Sequence, residues 1–163
     1  MGYDHSLNAE IDFKSAVSVD DVLSSLHPLM DYFGWRKEEI LENGLDGENS
    51  VVITENGHAV QHLSIYTCGE VGYSFPNVVQ ALAEKLAPLT KPGLIELRDH
   101  DTGDLENAVH KIWYGNPDEV MQAQRIHAWH EACGLLRAVG VAEETIALMA
   151  IQGGFAQPAA ADA

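Results

Sequence analysis

Bases are scarce in this chain. Nine Lys and Arg stand against 25 Asp and Glu, a formal net charge of -16. Phosphates need cationic partners, so direct nucleic-acid binding is not expected. The opposite role stays open: occupying a basic surface that itself handles nucleic acid. Cysteine is rare too. Cys68 and Cys133 are far apart, which suits two small buried hydrophobes in a reducing compartment better than a disulfide framework. No apolar run approaches the ~18 residues of a membrane span, so no membrane partner is expected. The opening MGYDHSLNAEIDF is acidic and lacks the basic-then-apolar layout of a secretory leader, so the expected location is cytoplasmic. There is no Gly-rich loop ending in Lys-Ser/Thr, no Gly-x-Gly-x-x-Gly and no Gly-x-Ser-x-Gly. Nucleotide-loop and hydrolase-elbow readings therefore have no footing, and no cofactor or metal is assigned.

What is present is a core's worth of apolar residues. They make up 46% of 163 residues, enough for one α+β domain over residues 1–154 with an Ala/Pro-rich tail at 155–163, expected to be frayed. Ser6–Lys14 alternates: Leu7, Ala9, Ile11 and Phe13 share one face, and Asn8, Glu10, Asp12 and Lys14 the other. Period two predicts a half-buried strand. Ser18 opens a helical stripe through Val22, Leu26, Met30 and Phe33 that must kink or restart at Pro28 and stop at Gly34. Arg36–Glu42 adds a helical turn. Ser50–Thr54 and Ala59–Cys68 flank Asn56-Gly57, a strong hairpin signal. Ser74 caps a second amphipathic helix with Pro76 in its first turn. Leu94–Arg98 and Ala108–Tyr114 are two more strands about an Asp99–Asp104 turn.

Asn116-Pro117-Asp118-Glu119 then starts the longest helical pattern, which ends at Gly140. Its expected buried stripe is Met121, Ala128, Ala132, Leu135, Leu136 and Val139. Ala142–Gln152 is a last helix. The order β-α-β-β-α-β-β-α-α predicts a ferredoxin-like split βαβ antiparallel sheet of about five strands with two additional C-terminal helices. Right-handed crossovers place strand one between strands three and four, with strand five beside strand four.

That topology gathers polar side chains on the sheet face away from the helices: Glu10 and Asp12, then His62, Ser64 and Tyr66, then Glu96 and Arg98. Such a set can recognise a polar partner, hold a metal or move protons. Against this stands the plain reading of a solvated antiparallel face, which is usually polar. Asp99, Asp101, Asp104 and Glu106 cluster around one turn, but without the spacing of a calcium loop, and Asp and Gly suit tight turns for conformational reasons. His127, His130 and Glu131 could share an ion on a helix surface. The helical wheel puts His130 nearly opposite the stripe, and the spacing is not His-Glu-x-x-His, so a surface role is expected. His62-Leu63-Ser64 and His100-Asp101-Thr102 resemble the paired His-x-Ser/Thr motifs of two-histidine phosphoesterases. That resemblance implies one His as base and the other as acid. The second copy departs from the family by sitting in a turn.

The leading expectation is a non-enzymatic module of inhibitor, immunity-type or regulatory kind. Glu10, Asp12, Glu96, Arg98 and Asp99 would meet a basic protein partner, and a second copy of the chain is also admissible as a partner. The alternative is a small metal-dependent or phosphoesterase-like hydrolase, with His62 and Tyr66 as its catalytic residues.

Overall fold

The computed structural model describes residues 2–101 and 109–158. The expectations for Thr102, Gly103, Asp104, Glu106, Ala108 and the last five residues of the tail lie outside them. The chain divides into two compact units, Met1–Val120 and Met121–Ala163. No helix among the described residues is long and apolar enough to cross a membrane.

The first unit is built on one long strand, β1 (Gly2–Val17). Its inward residues Leu7, Ala9, Ile11 and Phe13 are buried while Glu10 and Asp12 are exposed, as alternation requires. The strand is longer than Ser6–Lys14, because Tyr3 and His5 continue the inward set. β2 (Ser50–Asn56) and β3 (Ala59–Gly72) form the hairpin, and β4 (Gly93–Asp99) and β5 (Val109–Tyr114) complete the sheet. The order is β2-β3-β1-β4-β5, every neighbouring pair antiparallel. Strand one thus lies between strands three and four, and strand five beside strand four.

The helices of this unit are α1 (Val19–Ser25), α2 (His27–Phe33), α3 (Lys37–Leu41) and α4 (Phe75–Leu86). Ser18 caps α1 reciprocally with Asp21, which satisfies orphan donors at the helix start. The chain restarts at Leu26, with Pro28 in the first turn of α2, where a missing N–H costs nothing. Ser74 precedes α4 but makes no side-chain cap bond; its backbone is already helical, so its hydroxyl is not set for the role expected of it.

Leu23, Leu26, Leu29, Val79, Leu82 and Leu86 bury one helical layer in the same cluster as Leu7, Ile11, Leu63, Ile65, Ile95 and Leu97 of the sheet. Each such side chain contributes roughly 1.5–3 kcal/mol on burial. The sheet's other face carries no helix of this group; on it Glu10, Asp12, Tyr66, Glu96 and Arg98 are exposed and His62 and Ser64 half-buried.

The second unit holds most of α5 (Pro117–Ala138) and all of α6 (Glu143–Gln152). The amide of Asp118 donates to Asn116 Oδ1 at 3.0 Å, the cap that the sequence predicts. The expected buried stripe is a correction. Met121, Leu135 and Val139 are 63%, 70% and 78% exposed, because another side of α5 faces α6. There Trp129, Cys133 and Arg137 line a cleft with Glu143 and Ile146. Phe155 stacks on Trp129 at 4.8 Å. Cys68 and Cys133 are free thiols, half-buried and buried.

Candidate functional site

The site grows from one irregularity. β1 and β3 pair residue for residue from Gly2↔Gly72 to Asp12↔His62, and the next pair is Val17↔Val60. On its other edge β3 passes from Thr54↔His62 to Glu55↔Val60. Against β2, Gln61 is an extra residue that lets Val60 and Leu63 both point inward, at 1% and 0% exposure; against β1 the excess lies on β1, whose residues 13–16 fall between the two pairs. His62 is the last residue of the regular ladder before this break, facing away from the inward Leu63.

His62 lies between two carboxylates. Its Nδ1 is 2.8 Å from Asp12 Oδ1 and its Nε2 is 2.6 Å from Glu10 Oε2. Ser64 donates to the second oxygen of Glu10 at 2.8 Å. An ionised carboxylate only accepts, so the arrangement is best satisfied when both ring nitrogens carry a proton, the imidazolium form. The hydrogen bond to Asp12, then that to Glu10, holds the His62 pKa above its ordinary value. The bond from His62, then that from Ser64, lowers the Glu10 carboxyl. The histidine therefore fixes two acids, two residues apart on one rigid strand, as a preoriented anionic pair.

The remaining predicted residues spread over the sheet. Tyr66 pairs with Asn8, and Asn8 with Glu96 on the other side; Arg98 pairs with Ser6. Glu96 and Arg98 are exposed on the same face as Glu10 and Asp12. Tyr66 lies off the clasp, and its hydroxyl pKa is raised by Cys68 before all else. Asp99 is the exception. It ends β4 rather than opening a turn, and it pairs with inward-facing His5, so it stands on the other side of the sheet.

The phosphoesterase-like pair is not assembled. The amide of His100 bonds the Asp4 carbonyl, and its ring bonds Ser6 Oγ at 2.9 Å. The His100 ring is held at Ser6 and the His62 ring between Glu10 and Asp12, four to six residues further along β1, so the two imidazoles are roughly 13–20 Å apart by strand rise. One phosphate cannot bridge that. Around the turn, Asp99 Oδ1 accepts from the Asp101 amide and Asp101 Oδ2 from the Asp4 amide, at 2.9 and 2.8 Å; these carboxylates serve the backbone. His127 meets Glu131 at 3.3 Å. No group of three or more His, Cys, Asp or Glu suited to a metal occurs among the described residues. At His62 the reason is geometric: the two acids hold opposite ring nitrogens and cannot converge with the ring on one ion.

Beyond Asp12 the separation of β1 from β3 opens a cleft of about 530 Å³ lined in part by Lys14, Gln61 and Lys91. Lys14 is already paired with Glu119 at 3.4 Å.

Sequence reasoning missed His5. It is 1% exposed, with Nδ1 on the Gly69 carbonyl and Nε2 2.9 Å from Thr67 Oγ1. Gly69 has φ 109, a conformation glycine takes without a side-chain penalty. Phe33 and Phe75 flank the ring. Burial pushes the His5 pKa down, which favours the neutral ring in its buried, hydrogen-bonded place. The signal was the period-two continuation Tyr3-x-His5-x-Leu7. No protein-family model, curated protein or solved structure matches this chain.

Proposed function

We propose that this protein is an acidic protein-binding module, of inhibitor, immunity-type or regulatory kind, that docks its open sheet face on a basic partner surface inside the cell. On the same reading β1 to β4, with the helices between them, form a ferredoxin-like split βαβ platform, and β5 extends the face. The observation that carries the proposal is the His62 clasp. Two acids are held at fixed spacing on a strand, so a cationic partner loses little side-chain freedom in meeting them. Glu96 adds charge on β4, and the net charge of -16 would steer a basic partner toward the molecule.

The hydrolase alternative draws less support. Both nitrogens of His62 are occupied by carboxylates, which leaves no lone pair to accept a proton.

The test compares the wild type with a Glu10→Lys, Asp12→Lys, Glu96→Lys variant as immobilised baits in source-cell lysate. A basic protein retained by the wild type, lost by the variant and released by salt supports the reading. Identical retention by both baits refutes it, as does turnover of generic phosphodiesters that disappears in His62→Ala.

A further inference from the structure

The exposed stripe on α5 has a spacing that selects its occupant. Met121, Arg125, Ala128, Ala132, Leu135 and Val139 follow one another at intervals of four, three, four, three and four. Alternating threes and fours average 3.5 residues, the repeat that keeps one seam facing a second helix. Val139 lies one residue past α5, yet its amide still bonds the Leu135 carbonyl at 3.1 Å. Ala128 is exposed and Ala132 half-buried, and the three large members are the exposed residues named above. α6 packs on another side of the helix and does not use this seam.

We propose that the seam is the dimer interface of the protein, pairing antiparallel with the same seam of a second copy. The residue order argues for self-pairing. Met121 with Val139, Arg125 with Leu135, and Ala128 with Ala132 are three pairs each centred on residue 130. A two-fold axis there sets every member opposite its mate. Large side chains fill the ends, and the alanines meet in the middle, where helices can approach closely. A two-fold interface requires the same patch on both partners, and this one is self-complementary.

Charge points the same way. The seam contains no acid in a chain with 25, so a basic partner finds nothing to read there, while the one charge a second copy brings to it, Arg125, falls opposite Leu135. Arg125 does not stand in the way. Its guanidinium bonds the Gly153 carbonyl and lies over the Phe155 ring at 4.8 Å, which leaves the aliphatic stem for the seam. The second unit also has need of a partner. Among its described residues only Cys133 and Ile146 are buried hydrophobics, a small core for a helical hairpin.

Sedimentation equilibrium of the full chain, over a wide concentration series at low and high salt, tests this. The wild type should dimerise, more tightly at high salt because two copies of charge -16 repel and salt screens them. Leu135→Glu should weaken the dimer by about a hundredfold or more, since it places unpaired carboxylates in an apolar seam. Leu135 is exposed in the single chain, so circular dichroism should not change. A Met121→Cys, Val139→Cys variant should form an interchain disulfide that neither single variant forms; within one chain the two positions are about 27 Å apart along the helix. A wild type that stays monomeric throughout overturns the proposal. So does a dimer indifferent to Leu135→Glu, or a double-cysteine variant that yields no interchain bond.

Discussion

His62 and Asp12 face each other on the last regular rung of the β1–β3 ladder, joined at 2.8 Å, immediately before the register breaks. The ring thereby holds Asp12 and, through its other nitrogen, Glu10 in place on an acidic sheet face.

The clasp predicts a titration. Asp12→Asn removes the larger of the two causes that raise the His62 pKa, so the imidazole should titrate closer to its ordinary 6.5. Glu10→Gln should shift it in the same direction by less. Proton NMR of the His62 ring across pH reads both. The stability change should stay below about 1 kcal/mol, because the carboxylates are largely solvated. A His62 that titrates identically in wild type and Asp12→Asn would contradict the clasp.

Two histidines give opposite slopes in stability against pH. The folded-state pKa of His62 is raised, so its contribution is fully present below its unfolded value near 6.5 and is lost as pH rises through the folded value. The folded-state pKa of His5 is lowered by burial, so its contribution is present above the unfolded value near 6.5 and is lost as pH falls through the folded value. Glu10, lowered by His62 and Ser64, loses its contribution as pH falls from its ordinary 4.5 through the folded value. Urea denaturation across this range should show His62→Gln removing the loss at rising pH, leaving the His5 loss at falling pH and reducing the Glu10 loss, whose largest cause is then gone. His5→Ala should also cost roughly 2–5 kcal/mol at neutral pH, through a cavity beside Phe75 and unpaired groups at Gly69 and Thr67. A cost under the range expected of a surface substitution would remove His5 from the core.

These sites were unequally legible. Leu63 and Ile65 inward, with His62, Ser64 and Tyr66 away from them, followed from period two. The restart at Pro28 followed from a missing amide hydrogen. That Glu10 and Asp12 share a face with His62 was also readable, but their grip on its two nitrogens depends on the β1–β3 register that sets Asp12 opposite His62 and Glu10 opposite Ser64, and a single strand's alternation does not set the register of its neighbour. His5 escaped because Gly2–His5 reads as polar, so the strand's start was set too late. The α5 seam was recognised as apolar and assigned to the chain's own core. A heptad pattern has the same spacing whether its partner is in the same chain or another, so spacing alone could not separate them.

Gly93 supplies a sharp test of how β4 and β5 meet. It pairs directly with Tyr114, and the tyrosine ring lies across it. A Cβ on Gly93 would come within 2.1 Å of the Tyr114 hydroxyl oxygen and 2.4 Å of the carbon bearing it. Tyr114 cannot simply swing away. It is 3% exposed, and its hydroxyl donates to the Glu10 carbonyl at 3.3 Å. Gly93→Ala must therefore displace a buried ring or part the strands, at roughly 1–3 kcal/mol. That cost outweighs the fraction of a kcal/mol that alanine gains over glycine through a less flexible unfolded chain. The double variant Gly93→Ala, Tyr114→Leu should recover part of the loss, because the clash partner is gone, while still lacking the bond to Glu10. Chemical denaturation of the four proteins in the cycle gives the coupling directly. Additive costs for the two substitutions would mean that Gly93 and Tyr114 do not touch, and the β4–β5 register set out above would have to shift.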